Sequence, residues 1–178
     1  IKTKYYPEIE SLVKRATGAS DVFLFDHTVR KSSVKNLNNL GANSAAGSVL
    51  RVHCDYTEES APRRFKQMGQ KESYTGFKLS PEKVEELMKK RFAFINVWRP
   101  ITKEPVYVKP LAVCDTNSVD PSTHLTYELR YPDRTGENYS LEYSDEHKWY
   151  YYPQMEKEEC LMFKVYEKTK DGPRFTFH

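Results

Sequence analysis

The residues best suited to chemistry lie in one short stretch, Val52-His53-Cys54-Asp55-Tyr56. On an extended chain, positions i and i+2 face the same way. His53 and Asp55 could therefore grip one cation together while Cys54 points to the opposite side. With a second imidazole, such a pair forms the two-histidine, one-carboxylate facial set. That set holds Fe(II) and leaves positions open for oxygen and a co-substrate. A lone His-x-Asp is a short pattern that also arises as a structural or solvent-exposed pair. Four other histidines could supply the third ligand. His27 follows a short apolar run, where a hydrogen-bonded structural histidine is the plainer reading. His124 opens an alternating segment, and His147 sits in the charged turn Asp145-Glu146-His147-Lys148. His178 closes a late aromatic segment. A jelly roll returns distant strands beside early ones, which favours His178, although spacing alone does not choose it.

Other side chains could serve the same centre. Asn96 and Trp98, two positions apart on a strong strand, share a face. Asn96 could hydrogen-bond a substrate or co-substrate, or make a buried structural bond. Arg99 follows them, and its planar guanidinium suits a carboxylate, whether of a ligand or of a structural partner. Arg63, next to Arg64, could meet an anionic group, although paired cations are commonly a solvated helix face. Tyr56, Trp98 and Trp149 could line a substrate pocket or pack in the core. Cys54, Cys114 and Cys160 form no C-x-x-C pair and have no basic neighbours that would mark a reactive thiolate. No glycine-rich phosphate loop and no G-x-S-x-G elbow occurs.

The elements that must position these residues follow from periodicity. Helices are predicted over 5–16, stopped by Gly18, over 60–68, and over 81–91, where Ser80 caps and Pro81 takes the first position. Strands are predicted at 22–25, 49–52, 92–98, 106–108, 111–114, 124–130, 149–152, 160–166 and 174–177. Residues 31–48 read as a polar surface loop, and Pro132-Asp133-Arg134-Thr135-Gly136 as a turn. There is no βαβ alternation. The expected fold is mainly β with flanking helices around a double-stranded β-helix, a jelly-roll or cupin-like core. The 178 residues suit a single domain.

Net charge is +3, from 28 basic and 25 acidic side chains that are interspersed, so no basic face for nucleic acid is expected. No apolar stretch approaches the roughly 20 residues needed to span a membrane. Three cysteines without a signal peptide point to a reducing, cytoplasmic setting. Oligomeric state is not legible.

Separated segments along the chain share a pattern with one family. They include Tyr6-Pro7-Glu8-Ile9, Phe25-Asp26-His27-Thr28-Val29-Arg30, Val52-His53-Cys54-Asp55-Tyr56-Thr57 and Asn96-Val97-Trp98-Arg99-Pro100. Pro110-Leu111-Ala112-Val113-Cys114-Asp115, His147-Lys148-Trp149-Tyr150-Tyr151 and Arg174-Phe175-Thr176-Phe177-His178 continue the series. Each is weak alone, but their order and spacing run the whole chain. The chain resembles the fungal and bacterial hydroxylase/desaturase family of Fe(II)/2-oxoglutarate-dependent oxygenases. The resemblance implies Fe(II), 2-oxoglutarate and O2, and hydroxylation or desaturation of a small secondary-metabolite substrate by hydrogen abstraction. It also implies His53 and Asp55 as proximal ligands and His178 as the distal one. Residues 1–178 are then expected to be one oxygenase domain lacking parts of the family's N- and C-terminal segments, including the segment whose arginine would bind 2-oxoglutarate. Arg99 is the candidate for that role here. The alternatives are a non-catalytic or accessory binding protein on the same fold, and a methyl-transfer or methoxylation component.

Overall fold

Helix α1 (Tyr5–Thr17) buries Ile9 and Val13, which lie one turn apart on a single face. It ends at Gly18, whose φ of 70° is left-handed and whose N–H reaches the Lys14 carbonyl at 2.9 Å. This is the stop that the glycine predicts. Helix α3 (Pro81–Lys89) begins as its sequence requires, with the Ser80 hydroxyl accepting from the Lys83 N–H at 3.2 Å. Helix α2 (Ser60–Gln70) runs slightly longer than the predicted 60–68, and α3 slightly shorter than 81–91.

The structure is a computed structural model and describes residues 3–31, 46–70, 72, 76–130 and 135–178. Most of the predicted loop at 31–48 and most of the turn at 132–136 lie outside the described residues. The chain divides into two compact units. The first comprises Ile1–Ser48 and Phe65–Glu86, the second Val49–Arg64 and Leu87–His178.

In the first unit, Met68, Leu79 and Val84 are buried, and Phe23 stacks on Phe77 with ring centroids 5.1 Å apart. Gly69 allows a close approach here. A Cβ added to it would stand 2.9 Å from Cγ2 of Val84. His27 Nδ1 and the Tyr6 hydroxyl share a hydrogen bond at 2.6 Å, in keeping with a structural role.

The second unit carries the strands. β1 (Ala93–Trp98) pairs antiparallel with β6 (Leu161–Glu167), with a register irregularity between Phe94 and Ile95. β2 (Ala112–Cys114) pairs with β5 (Trp149–Tyr151), and β3 (His124–Arg130) with β4 (Thr135–Leu141), both antiparallel. Its core contains Cys54, Phe94, Cys114, Phe163, Val165, Tyr166 and Phe177. The described residues are thus strand-rich with a few helices, in three two-stranded ladders.

Several expectations need correction. The segments at 22–25, 49–52, 106–108 and 174–177 form no regular strand, although each is apolar enough to have been read as one. Two of them make backbone bonds to other segments without forming a ladder. Val106 N–H, for example, reaches the Met155 carbonyl at 3.1 Å, and Thr176 N–H the Lys164 carbonyl at 3.0 Å. Conversely, β4 was missed. Its sequence, Thr-Gly-Glu-Asn-Tyr-Ser-Leu, is polar, and its pairing partner β3 rather than its own composition makes it a strand.

Candidate metal centre

Two irregular stretches meet side by side to build the site. His53 N–H donates to the His178 carbonyl at 3.1 Å, and His178 N–H returns a bond to the His53 carbonyl at 2.9 Å. This exchange is that of a directly opposed antiparallel pair. The next residue turns the other way: Cys54 exchanges both backbone bonds with Tyr139 on β4, at 2.8 and 3.1 Å. The Cys54 side chain is fully buried and its thiol donates to the Val165 carbonyl at 3.1 Å. His53 and Asp55 therefore share a face while Cys54 anchors the opposite one, as the spacing predicts, although the stretch is not a regular strand.

On that face three side chains converge. One ligand atom from each of His53, Asp55 and His178 lies within 4.8 Å of the others. His53 Nε2 is 3.5 Å from Asp55 Oδ1, and His178 Nε2 is 4.0 Å from Asp55 Oδ2. The imidazole rings stand 4.5 Å apart, and Phe163 packs against the His178 ring at 4.8 Å. Both histidine side chains are largely shielded, at 12% and 8% exposure, whereas Asp55 keeps 33%.

The two imidazoles are oriented by the same local device. His53 Nδ1 lies 2.9 Å from the carbonyl of Arg51, and His178 Nδ1 3.1 Å from the carbonyl of Thr176. A carbonyl only accepts, so each Nδ1 carries the proton and each Nε2 is turned toward Asp55. Metal-binding histidines are commonly fixed in this way. Two imidazole nitrogens and a carboxylate facing one another need positive charge between them, from protons or from a cation. The donor set, two nitrogens and one carboxylate oxygen, fits Fe(II).

Asp55 is held from two sides. Asn96, on β1, donates its amide to Asp55 Oδ2 at 2.7 Å. The buried Asn138, with its amide nitrogen turned toward the Asp55 and Glu137 carbonyls, reaches each at 3.2 Å. Burial pushes the Asp55 carboxyl up. The His53 hydrogen bond, the charges of His178 and His53, and the Asn96 hydrogen bond outweigh this and hold it at about 2. Just beyond, Thr57 N–H donates to the Ser60 hydroxyl at 2.8 Å and Ser60 N–H to the Thr57 hydroxyl at 3.0 Å. The Ser60 hydroxyl in turn donates to the Glu137 carbonyl at 2.8 Å. This buried knot starts α2 and ties the chain after Asp55 to β4.

Of the candidates, then, His53, Asp55, His178 and Asn96 are brought together. Tyr56 packs against Phe94, with centroids 4.6 Å apart. Arg63 pairs with Glu137 at 3.2 Å. Trp98 ends β1 opposite Leu161, and Arg99 donates from Nη2 to the Lys157 carbonyl at 2.6 Å. Trp149, on β5, lines a cavity of about 350 Å³ with Val52, Leu141, Tyr143 and His147; none of the three ligand residues lines it. His124 sits among Tyr139, Phe175 and Phe177 and is not one of the three clustered residues, and burial lowers its pKa. Sequence reasoning missed Asn138 and the carbonyls of Arg51 and Thr176. A carbonyl leaves no trace in residue type, and Asn138 lies in a polar stretch for which the sequence predicts no strand.

Comparison with known proteins gives consistent results. The family model described as "Oxidoreductase/YMDC permease-like domain" matches residues 1–178. Among the described residues, no helix is long and apolar enough to cross a membrane. The hydroxylase/desaturase efuI of Hormonema carpetanum is 29% identical over 191 residues, covering 97% of this chain and 60% of the relative. The Fe(II)/2-oxoglutarate-dependent dioxygenase nvfI of Aspergillus novofumigatus is 31% identical, covering 94% of this chain and 54% of the relative. A solved structure of the iron and alpha-ketoglutarate-dependent endoperoxidase NvfI matches with a TM-score of 0.79 at 27% identity, covering 99% of this chain and 60% of that one. The chain spans only 53–60% of the length of the first curated relatives it matches.

Proposed function

Since the chain belongs to the oxidoreductase/YMDC permease-like family, alongside fungal hydroxylase/desaturases and Fe(II)/2-oxoglutarate-dependent dioxygenases, we propose that it is the iron-holding part of such an oxygenase. The substrate in this reading is a small molecule of secondary-metabolite type, hydroxylated or desaturated at carbon. The observation that carries the reading is the convergence of His53, Asp55 and His178, with both imidazoles turned to present Nε2.

The iron, when bound with 2-oxoglutarate and O2, supplies the oxidising power for hydrogen abstraction. The protein supplies the rest. His53, Asp55 and His178 bind the ion. The carbonyls of Arg51 and Thr176 orient the imidazoles, and Phe163 shields the His178 side from water. Arg99, at the exit of β1, supplies the guanidinium for the co-substrate carboxylate in this reading. Tyr56, Arg63, Trp98 and Trp149 are assigned to substrate. The antiparallel ladders and the return of residues 176–178 beside 53–54 support a jelly-roll core within one oxygenase domain.

The test is anaerobic addition of Fe(II) and 2-oxoglutarate to the chain and to His53→Ala, followed by visible absorption. A charge-transfer band that disappears in the variant supports the proposal. A folded chain that binds Fe(II) in neither form overturns it and leaves an accessory binding protein.

A further inference from the structure

We infer that Asn96 is a positioning residue for the metal-binding carboxylate: it holds Asp55 Oδ2, so that Asp55 offers Oδ1 as a single-atom ligand. This rests on the metal site proposed above. Asn96 Nδ2 lies 2.7 Å from Asp55 Oδ2, within the short range of hydrogen bonds to an ionised acceptor. Asp55 Oδ1 is the oxygen nearer His53 Nε2, at 3.5 Å, whereas Oδ2, which accepts from Asn96, is the one nearer His178 Nε2, at 4.0 Å. The two oxygens of one carboxylate thus have different neighbours.

The arrangement is built into the ladder. Asn96 stands in register with Phe163 across β1 and β6, and Phe163 is the residue packed on the His178 ring. The strand that places the amide on Asp55 is therefore bonded to the strand that walls the third ligand. The Asp55 backbone carbonyl has a neighbour as well, Asn138, whose amide nitrogen, in the orientation that turns it toward this carbonyl, reaches it at 3.2 Å. The Asn96 bond to one oxygen opposes rotation of the carboxylate plane.

The chemical reason for such a tether is a count of positions. A six-coordinate ion with three single-atom protein ligands keeps three positions. Bound there, a chelating 2-oxo acid would need two of them and would leave one open. A carboxylate gripping with both oxygens would remove one of the three. A donor on Oδ2 makes that oxygen the poorer ligand and preserves the open position. Partners of this kind typically change metal affinity about 10–100-fold when removed.

The experiment is titration of Co(II) into the intact chain, Asn96→Leu and Asn96→Ser, read by calorimetry and by the visible d–d bands, with metal-free thermal unfolding of each. Expected for Asn96→Leu are a fold retained without metal, Co(II) affinity about 10–100-fold weaker, and altered band position or intensity. Parent affinity and an unchanged spectrum in Asn96→Leu would overturn the inference. So would a lower metal-free melting temperature with Co(II) binding intact, since that marks a purely structural asparagine. If Asn96→Leu does not fold, Asn96→Ser decides by the same readings. If the intact chain itself binds no Co(II), the metal site fails, and the inference fails with it.

Discussion

His53 and His178 are bonded to each other twice through their main chains, and each has its imidazole fixed by the carbonyl two residues before it. None of these bonds needs a particular side chain at the partner position. Replacing either imidazole should therefore remove a ligand without removing the pairing. His53→Ala and His178→Ala are each expected to lose metal affinity by more than about 100-fold, beyond what outer partners contribute. Their metal-free melting temperatures should stay within a few degrees of the parent. Calorimetric titration with Co(II) and thermal unfolding read both; a variant that unfolds would contradict the main-chain account.

Glu167 makes the second unit sensitive to acid. Its side chain is 1% exposed and meets Arg91 at 2.9 Å. Burial pushes its carboxyl up, but the hydrogen bonds from Arg91 and Thr169 and the charge of Arg91 bring it below the usual range. A carboxyl depressed in the folded state adds stability that is present above its unfolded value. That stability is lost as pH falls through the folded value. Stability should therefore decline below about pH 4.5, the ordinary value for glutamate. Glu167→Gln is expected to cost about 1–3 kcal/mol at neutral pH and to flatten the acid limb. Urea unfolding between pH 3 and 7 measures both.

Gly69 offers a test of packing in the first unit. A Cβ there would press on Val84 Cγ2 at 2.9 Å. Gly69→Ala gains helix propensity but overpacks, and a net loss of about 1–3 kcal/mol is expected. Val84→Ala removes the clashing methyls, so the double variant should be more stable than the two single losses added together. A double-mutant cycle by urea unfolding reads the coupling; simple additivity would refute the contact.

The cysteines should differ in reactivity. Cys54 and Cys114 are buried and Cys160 is exposed. One thiol should react rapidly with an aromatic disulfide reagent under native conditions, and the other two only on unfolding. Cys160→Ser should abolish the fast phase.

The parts of this site that the sequence makes legible are those that depend on local spacing. His53-x-Asp55 needs only the two-residue period of an extended chain, and the caps of α1 and α3 need only Gly18 and Ser80-Pro81. His178 was harder, because its place beside His53 is a long-range pairing that no local pattern encodes; the family resemblance supplied it. Arg63 shows the limit from another side. A cation after the ligand pair could serve a ligand or a structure, and only its 3.2 Å contact with Glu137 gives it a partner. β4 was illegible because a polar strand owes its form to its neighbour, and the apolar run at 22–25 misled because packing such as Phe23 on Phe77 does not require a ladder.

The double main-chain bond between His53 and His178 also has a consequence for the order of assembly. Before those stretches meet, the proposed site has two of its three donors, His53 and Asp55. The third donor arrives only with the correct register, since a slip of one residue would turn the His178 ring to the far side. Completion of the proposed metal site is thus tied to this pairing.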